Sequence, residues 1–307
     1  MGALRFGVLG TGYWAQEAHA SALAASGHAD LVGIWGRDPS RTDAAARRFG
    51  VAGYRDLDRL LAEVDAVAIA VPPDVRAELA LAAAAAGRHL LLDKPLALSL
   101  EAADRVVEAA AANRVASLVF FTLRFLPEVA AWVEQAAVTG GWQGGDGAWL
   151  GTVFSEPDSP FAGSPWRRAK GALWDLGPHV LSLALPVLGP VDRVTAATGP
   201  GDTVHLVLGH DGGASSTLTM SQTVPPPAAW IGFAVYGPAG RSATPPFELA
   251  HPAAMDEAIR QLAATVAAGA TSHPCDVRLG RDTVAVLAAA ERFLAAGEDT
   301  RAAGVVG

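Results

Sequence analysis

At 307 residues, with 51% apolar residues and a mean hydropathy of +0.27, the chain can bury a core for one large domain or two modest ones and is globular rather than disordered. A formal net charge of −8 and a pI near 5.4 argue against nucleic acid or an anionic membrane as partner, since either demands a basic stripe. One cysteine, Cys275, permits neither an internal disulfide nor a thiolate metal site, and with no signal peptide or sustained apolar span the expected location is the cytoplasm.

Residues 4–9 read as a compact apolar strand, followed at once by Gly10-Thr11-Gly12-Tyr13-Trp14-Ala15 and a helical stretch to about residue 25. Strand, glycine turn and helix follow the order of a dinucleotide fingerprint. One glycine makes the tight turn, a second lets the backbone approach a pyrophosphate, and a small third residue, here Ala15, allows close helix packing. The second strand, 30–35, ends in Gly36-Arg37-Asp38-Pro39, with Asp38 capping a helix that runs to Phe49 and stops at Gly50. An NAD-selective site offers a carboxylate at that strand end, whereas a 2′-phosphate needs a small residue and a cation. Gly36 and Arg37, with Arg41 one turn into the helix, therefore predict NADP(H) favoured over NAD(H).

A helix over 56–63, a strand over 66–71 ending at Pro72-Pro73, and a helix to Ala86 stopped by Gly87 lead to Leu90-Leu91-Leu92-Asp93-Lys94-Pro95. This apolar run, flanked by helical patterns, reads as a central parallel strand, and ligands of open α/β sheets bind beyond the carboxyl ends of such strands. Pro95 ends the strand and stiffens the backbone that presents Lys94. A helix over 99–113 and a strand over 115–121 complete a doubly wound parallel sheet, and the domain boundary is expected near 121–124, giving 1–121 and 122–307.

After Phe121 the pattern changes. Arg124-Phe125-Leu126-Pro127 opens a helix to about Val138, a glycine-rich turn over 140–147 precedes a strand over 148–155, and the Pro/Ser/Gly-rich loop 156–165 is a candidate lid. Strands over 203–209 and 214–222, joined by His210-Asp211-Gly212-Gly213, alternate as an antiparallel hairpin whose Ser215, Thr217 and Thr219 share one polar face. Two amphipathic helices, about 255–268 and 276–295, close the chain. In Trp166-Arg167-Arg168-Ala169-Lys170-Gly171-Ala172-Leu173-Trp174-Asp175-Leu176-Gly177-Pro178-His179, Asp175 and His179 stand four apart and share one helix face amid apolar neighbours, where polar groups are costly unless they serve a site. Pro178 predicts that this helix starts or kinks nearby. No ligand cluster supports a metal.

In order and spacing, Gly10 and Gly12, Asp93-Lys94-Pro95 for Glu-Lys-Pro, Trp166-Arg167, and the run from Gly171 to His179 resemble the Gfo/Idh/MocA family of NAD(P)-dependent oxidoreductases over nearly the whole chain. The resemblance implies a Rossmann domain followed by an α/β domain with an open, largely antiparallel sheet. The exposed sheet face would then carry a homodimer or homotetramer. It implies a catalytic set of Lys94, Asp175 and His179, a cofactor site drawing on Gly10, Thr11, Gly12, Tyr13, Trp14, Arg37, Arg41, Val71, Pro72, Asp93, Lys94, Trp166 and Arg167, and substrate contacts from Lys94, Arg124, Lys170, Asp175 and His179. The activity expected is hydride transfer between nicotinamide and a secondary alcohol or ketone carbon of a sugar, cyclic polyol or related small molecule. Two departures, the glycine cluster reduced to Lys170-Gly171-Ala172 and Ser182 in place of an acid or amide, bear on which substrate fits. Two other readings use the same residues: an NAD-dependent glycosidase of this fold, and a non-catalytic nicotinamide sensor or scaffold, against which the intact Lys94, Asp175 and His179 set argues.

Overall fold

A computed structural model describes residues 3–156 and 158–297. Contacts divide the chain into two compact units, one formed by the chain up to Glu134 with Thr244–Val284, the other by Gln135–Ala243 with the chain from Ala285.

In the first unit, β1 (Leu4–Leu9), β2 (Ala29–Trp35), β3 (Ala52–Tyr54), β4 (Ala66–Ile69), β5 (His89–Asp93) and β6 (Ser117–Phe120) form one parallel sheet in the order β3-β2-β1-β4-β5-β6. Helices α1 (Ser21–Ala25), α2 (Pro39–Phe49), α3 (Leu57–Glu63), α4 (Pro73–Ala85) and α5 (Leu100–Ala112) connect these strands. This is the doubly wound arrangement expected, with β3 as a short strand that the sequence pattern did not single out. At three residues, it is too short to show an alternation. Leu90, Leu91 and Leu92 of β5 are fully buried between β4 and β6, as a central strand requires.

By contacts the first unit also takes in segments beyond residue 121. Residues 122–134 stay with the first unit, and so does α8 (His251–Ala267). The reason is the apolar stripe of α8: Ala254, Met255, Ala258, Ile259 and Leu262 are buried, and the helix packs on β6, on the short 3-10 turn Thr122–Phe125 and on α1.

The second unit holds a mixed sheet in the order β12-β11-β7-β10-β9-β8, built from β7 (Gly144–Leu150), β8 (Val191–Thr198), β9 (Val204–His210), β10 (Ser215–Ser221), β11 (Trp230–Gly237) and β12 (Gly240–Ala243). Only β7 and β10 pair in parallel. The expected turn over 140–147 is corrected here, because Gly144, Gly145 and Gly147 lie inside β7 rather than before it. Packing explains the glycines. A Cβ at Gly147 would stand 2.5 Å from the Phe233 ring, and one at Gly144 would stand 2.5 Å from the Tyr236 hydroxyl. Helix α6 (Pro127–Thr139) precedes this sheet, α7 (Pro165–Leu188) packs on its inner face, and α9 (Val277–Ala296) ends the described chain. Contrary to the expectation of no sustained apolar span, α7 has the length and apolarity of a membrane-crossing helix, but 89% of its apolar window is buried inside the protein.

Candidate functional site

The nucleotide-facing features of the first unit gather at the carboxyl ends of its strands. Gly10 has a φ of 139°, and a Cβ there would lie 2.5 Å from the Ala70 carbonyl oxygen, so β1 and β4 leave room only for glycine. Gly12 is different. A Cβ at Gly12 meets nothing within 4 Å, so the protein itself does not require glycine there, and the open cradle above the turn fits a pyrophosphate approaching the backbone. The following helix begins with a π-helical stretch, Ala15–Ala20, rather than the expected plain α-helix. Thr11 is held by its carbonyl, which accepts from Gln16 Nε2 at 3.0 Å and from Arg41 Nη2 at 3.4 Å, while Tyr13 is 53% exposed.

At the end of β2, Asp38 caps α2 as expected, its Oδ1 accepting from the Arg41 backbone N–H at 3.1 Å. Gly36 lies close under Thr11, since a Cβ there would stand 2.6 Å from Thr11 Cγ2. A side chain at this position therefore requires the Thr11 side chain to turn away. Arg37 is exposed beside it.

At the end of β5, Lys94 is 8% exposed and lies between Asp93 and a cis peptide bond to Pro95. Asp93 Oδ1 accepts from the Lys94 backbone N–H at 2.9 Å, which fixes the backbone that carries the ammonium. The Val71-Pro72 turn follows β4, the neighbouring strand. Arg124, on the 3-10 turn Thr122–Phe125, is buried, and its charge is felt by His273 and Cys275. Burial pushes the Cys275 thiol up to about 11, which leaves it a poor nucleophile.

Three residues near Lys94 were not legible in the pattern. His251 begins α8, and its ring stands edge-on to Trp14 at 5.3 Å. Burial, with the Lys94 charge second, holds its pKa below the ordinary value. Arg76 of α4 is 1% exposed and lies 3.7 Å from Asp93 Oδ2. His19 is fully buried between Trp14 and Phe120, and neither ring nitrogen has a hydrogen-bond partner among the described residues. His251 precedes a proline and His19 sits one turn beyond the glycine loop, but only tertiary neighbours distinguish them from ordinary helix residues.

Burial holds His19 down to about 4, with Asp93 acting upward and Arg76 downward as smaller influences. Its folded pKa is thus below the unfolded value of 6.5, so on acidification the unfolded chain takes up the proton first. The contribution to stability is complete above pH ~6.5 and is lost as pH falls toward 4, amounting to about 2 kcal/mol by pH 5. Urea denaturation of wild type and His19→Leu at pH 7.5 and about 5 should show the wild type losing that much more stability than the variant. Equal pH slopes would show that His19 does not titrate in this window.

In the second unit, α7 carries the other predicted residues. The expectation of a start or kink near Pro178 is corrected: the break is at Gly171, with φ 61° and ψ −166°, and Pro178 lies inside the second helical segment. In a straight helix, residues eight apart are separated by about 12 Å along the axis. The break at Gly171 lets Arg167 Nε reach Asp175 Oδ2 at 2.9 Å. Arg167, expected at the cofactor, is thus the ion-pair partner of Asp175, with its guanidinium over the Phe161 ring at 4.5 Å and the Trp166 ring at 4.8 Å.

Asp175 and His179 are 3% and 4% exposed, and His179 lies tilted against Trp149 of β7 at 4.7 Å. Trp149 therefore belongs to the immediate surroundings of His179, although its strand alternation alone marks it as core. Lys170, expected at substrate, pairs with Glu291 at 2.9 Å and lies over Trp174. Ser182 is buried and donates to the His179 carbonyl at 2.7 Å, a bond inside its own helix. Among the described residues no group of three or more His, Cys, Asp or Glu side chains is arranged to hold a metal.

Residues 4–121 match a family model described as "Oxidoreductase family, NAD-binding Rossmann fold", and residues 148–242 match one described as "GFO/IDH/MocA C-terminal domain". An uncharacterised oxidoreductase, ORF334 of Rhizobium meliloti, is 30% identical over 245 residues, covering 72% of this chain and 69% of that protein. D-xylose 1-dehydrogenase (NADP(+)) 2 of Haloferax volcanii is 30% identical over 240 residues, covering 72% and 70%. Among solved structures, GenD2 from gentamicin A biosynthesis, in complex with NAD, superposes with a TM-score of 0.81 at 25% identity over 97% of this chain and 95% of that one.

Proposed function

The chain belongs to the Gfo/Idh/MocA family of NAD-binding oxidoreductases, and we propose that it transfers a hydride between NADP(H) and a secondary alcohol or ketone carbon of a sugar or cyclic polyol. The observation that carries this reading is Lys94, nearly buried and held by a fixed backbone just beyond the carboxyl end of the central strand β5. The substrate class is supported by the relatives' names, D-xylose 1-dehydrogenase among them.

When bound, the nicotinamide supplies or accepts the hydride; the chain's own groups manage the oxygen and its proton. Lys94 donates a hydrogen bond to the substrate oxygen and stabilises the negative charge that develops on it. His179 takes the hydroxyl proton in oxidation and returns it in reduction, the general acid–base role that imidazoles commonly fill. Asp175, paired with Arg167, orients the neighbouring groups. Gly10, Thr11, Gly12 and the start of the next helix would hold the pyrophosphate, and Arg37 would meet the 2′-phosphate. Trp14, Val71, Pro72 and Trp166 are assigned to the cofactor, and Arg124 and Lys170 to the substrate. Oxidation of a panel of sugars and polyols, followed by nicotinamide absorbance with NADP⁺ and NAD⁺, tests the reading. Tight cofactor binding with no turnover of any panel member, nor of the matching ketoses in reverse, would overturn it.

The protein is also proposed to assemble through the open face of the second sheet. Register places Thr195, Val207, Thr217 and Asp146 side by side on that face, and His205 with Thr219 beside them. Val207, Trp230 and Tyr236 are 51%, 53% and 43% exposed, a scatter of large apolar groups that a second copy would cover. Sedimentation at micromolar concentration should give a dimer or tetramer. A single species of 31.4 kDa would refute the assembly.

A further inference from the structure

We propose that Arg76 is a positioning residue for the reaction, one that ties the turn carrying Lys94 to the turn at the end of β4. The inference rests on the role given to Lys94 above. Arg76 lies in the first turns of α4, just after Pro72-Pro73, and is buried to 1% exposure. Its Nη2 donates to the Val71 carbonyl at 2.8 Å and lies 3.7 Å from Asp93 Oδ2. Its Nη1 donates to the Pro95 carbonyl. The other oxygen of Asp93 accepts from the Lys94 backbone N–H at 2.9 Å. One planar cation therefore holds the residues on both sides of Lys94, together with the end of the adjacent strand.

The chemistry of the group matters here. A guanidinium offers donors in a rigid fork and can bond two carbonyls and face a carboxylate at once, whereas a lysine ammonium is a point charge on a flexible stem. Stability alone does not call for such a residue, because a buried ion pair is often no more stabilising than apolar side chains of the same volume. What the fork supplies is a fixed distance between residues 71, 93 and 95. Lys94 needs that, since a catalytic group displaced by even 1 Å can lose much of its effect. Val71, on the same clamp, neighbours Pro72 in the turn assigned to the cofactor, so Arg76 fixes how the lysine turn is spaced from that turn.

The test compares wild type, Arg76→Lys, Arg76→Gln, Lys94→Ala and the double variant Arg76→Gln/Lys94→Ala, using the sugar that the panel yields and NADPH as the cofactor probe. Arg76→Gln is expected to lower kcat roughly tenfold, with KM and NADPH affinity within about threefold of wild type. Arg76→Lys is expected to rescue little of the loss, because charge without the fork does not restore the geometry. In the Lys94→Ala background, Arg76→Gln should change the rate by less than about twofold, since the group it aims is gone. Hydrogen exchange of the NADPH complex provides a readout free of turnover: the peptide spanning 90–97 should exchange faster in Arg76→Gln, and that spanning 4–9 should not.

A full tenfold loss in the Lys94→Ala background, full rescue by lysine, or faster exchange throughout the first unit would overturn the proposal and leave Arg76 a structural residue. If Lys94→Ala itself kept full activity, the role of Lys94 would fall, while exchange in 90–97 would still report whether Arg76 holds that turn. Should Arg76→Gln show no cooperative melt, Arg76→Lys is read in the same assays: slowed turnover with intact NADPH binding supports the proposal, and wild-type rates overturn it.

Discussion

Replacing Lys94 or His179 by alanine is expected to lower kcat by about 100- to 10,000-fold, the range typical of a positioned acid-base or oxyanion-stabilising group. Cofactor affinity should stay within about threefold of wild type, because the role proposed for each group is on the reacting oxygen and its charge, which develops in the transition state rather than in the bound ground state. Structural effects are separated from chemical ones by the choice of variant. Lys94 is fixed by its backbone, through Asp93 and Pro95, so removing the side chain does not release the turn. His179 lies against Trp149 on a buried helix, and His179→Gln serves beside the alanine variant to separate lost proton transfer from a lost ring contact. Steady-state rates with fluorescence titration of NADPH check both. Wild-type kcat in either variant would remove the proposed mechanism, and a parallel loss of NADPH binding would point to damaged structure instead.

Arg37→Ala is expected to weaken NADP(H) binding by about 10- to 150-fold, the value of one charge-assisted hydrogen bond to the 2′-phosphate, and to leave NAD(H) nearly unchanged. The surroundings of Arg37 favour this division of labour. Asp38, the carboxylate that could otherwise serve a ribose, has an oxygen engaged in capping α2. Arg41 is drawn to the Thr11 carbonyl and so braces the glycine turn. Gly36 lies close beneath the Thr11 side chain, so the strand end offers a small residue followed by a cation. Titration of both cofactors into wild type and variant decides it: tighter NAD(H) than NADP(H) in the wild type, or equal losses for the two, would make Arg37 an ordinary surface charge.

The local signals in this chain were strong where the physics is local. Short apolar runs bounded by glycine and proline mark β1, β2, β4 and β5, most plainly β4 and β5, because a strand buried on both faces must be apolar throughout and must stop where its ladder cannot continue. The same holds for the Gly10-to-Gly12 turn, the Asp38 cap and the presentation of Lys94 at a strand end, each set by residues within a few positions of one another. Tertiary structure alone decided the rest. Gly144 and Gly147 read as a turn until Tyr236 and Phe233, some ninety residues later, are seen to occupy the space a side chain would need. Arg167 and Asp175 form a pair only because Gly171 adopts a left-handed φ that an unbroken helical pattern does not announce. Arg76 and His251 reach the surroundings of Lys94 from α4 and from a segment that returns to the first unit after the second sheet is complete. Periodicity reports which face of an element is buried; it carries no information about which distant element covers that face, and that is where the neighbours of Lys94 were chosen.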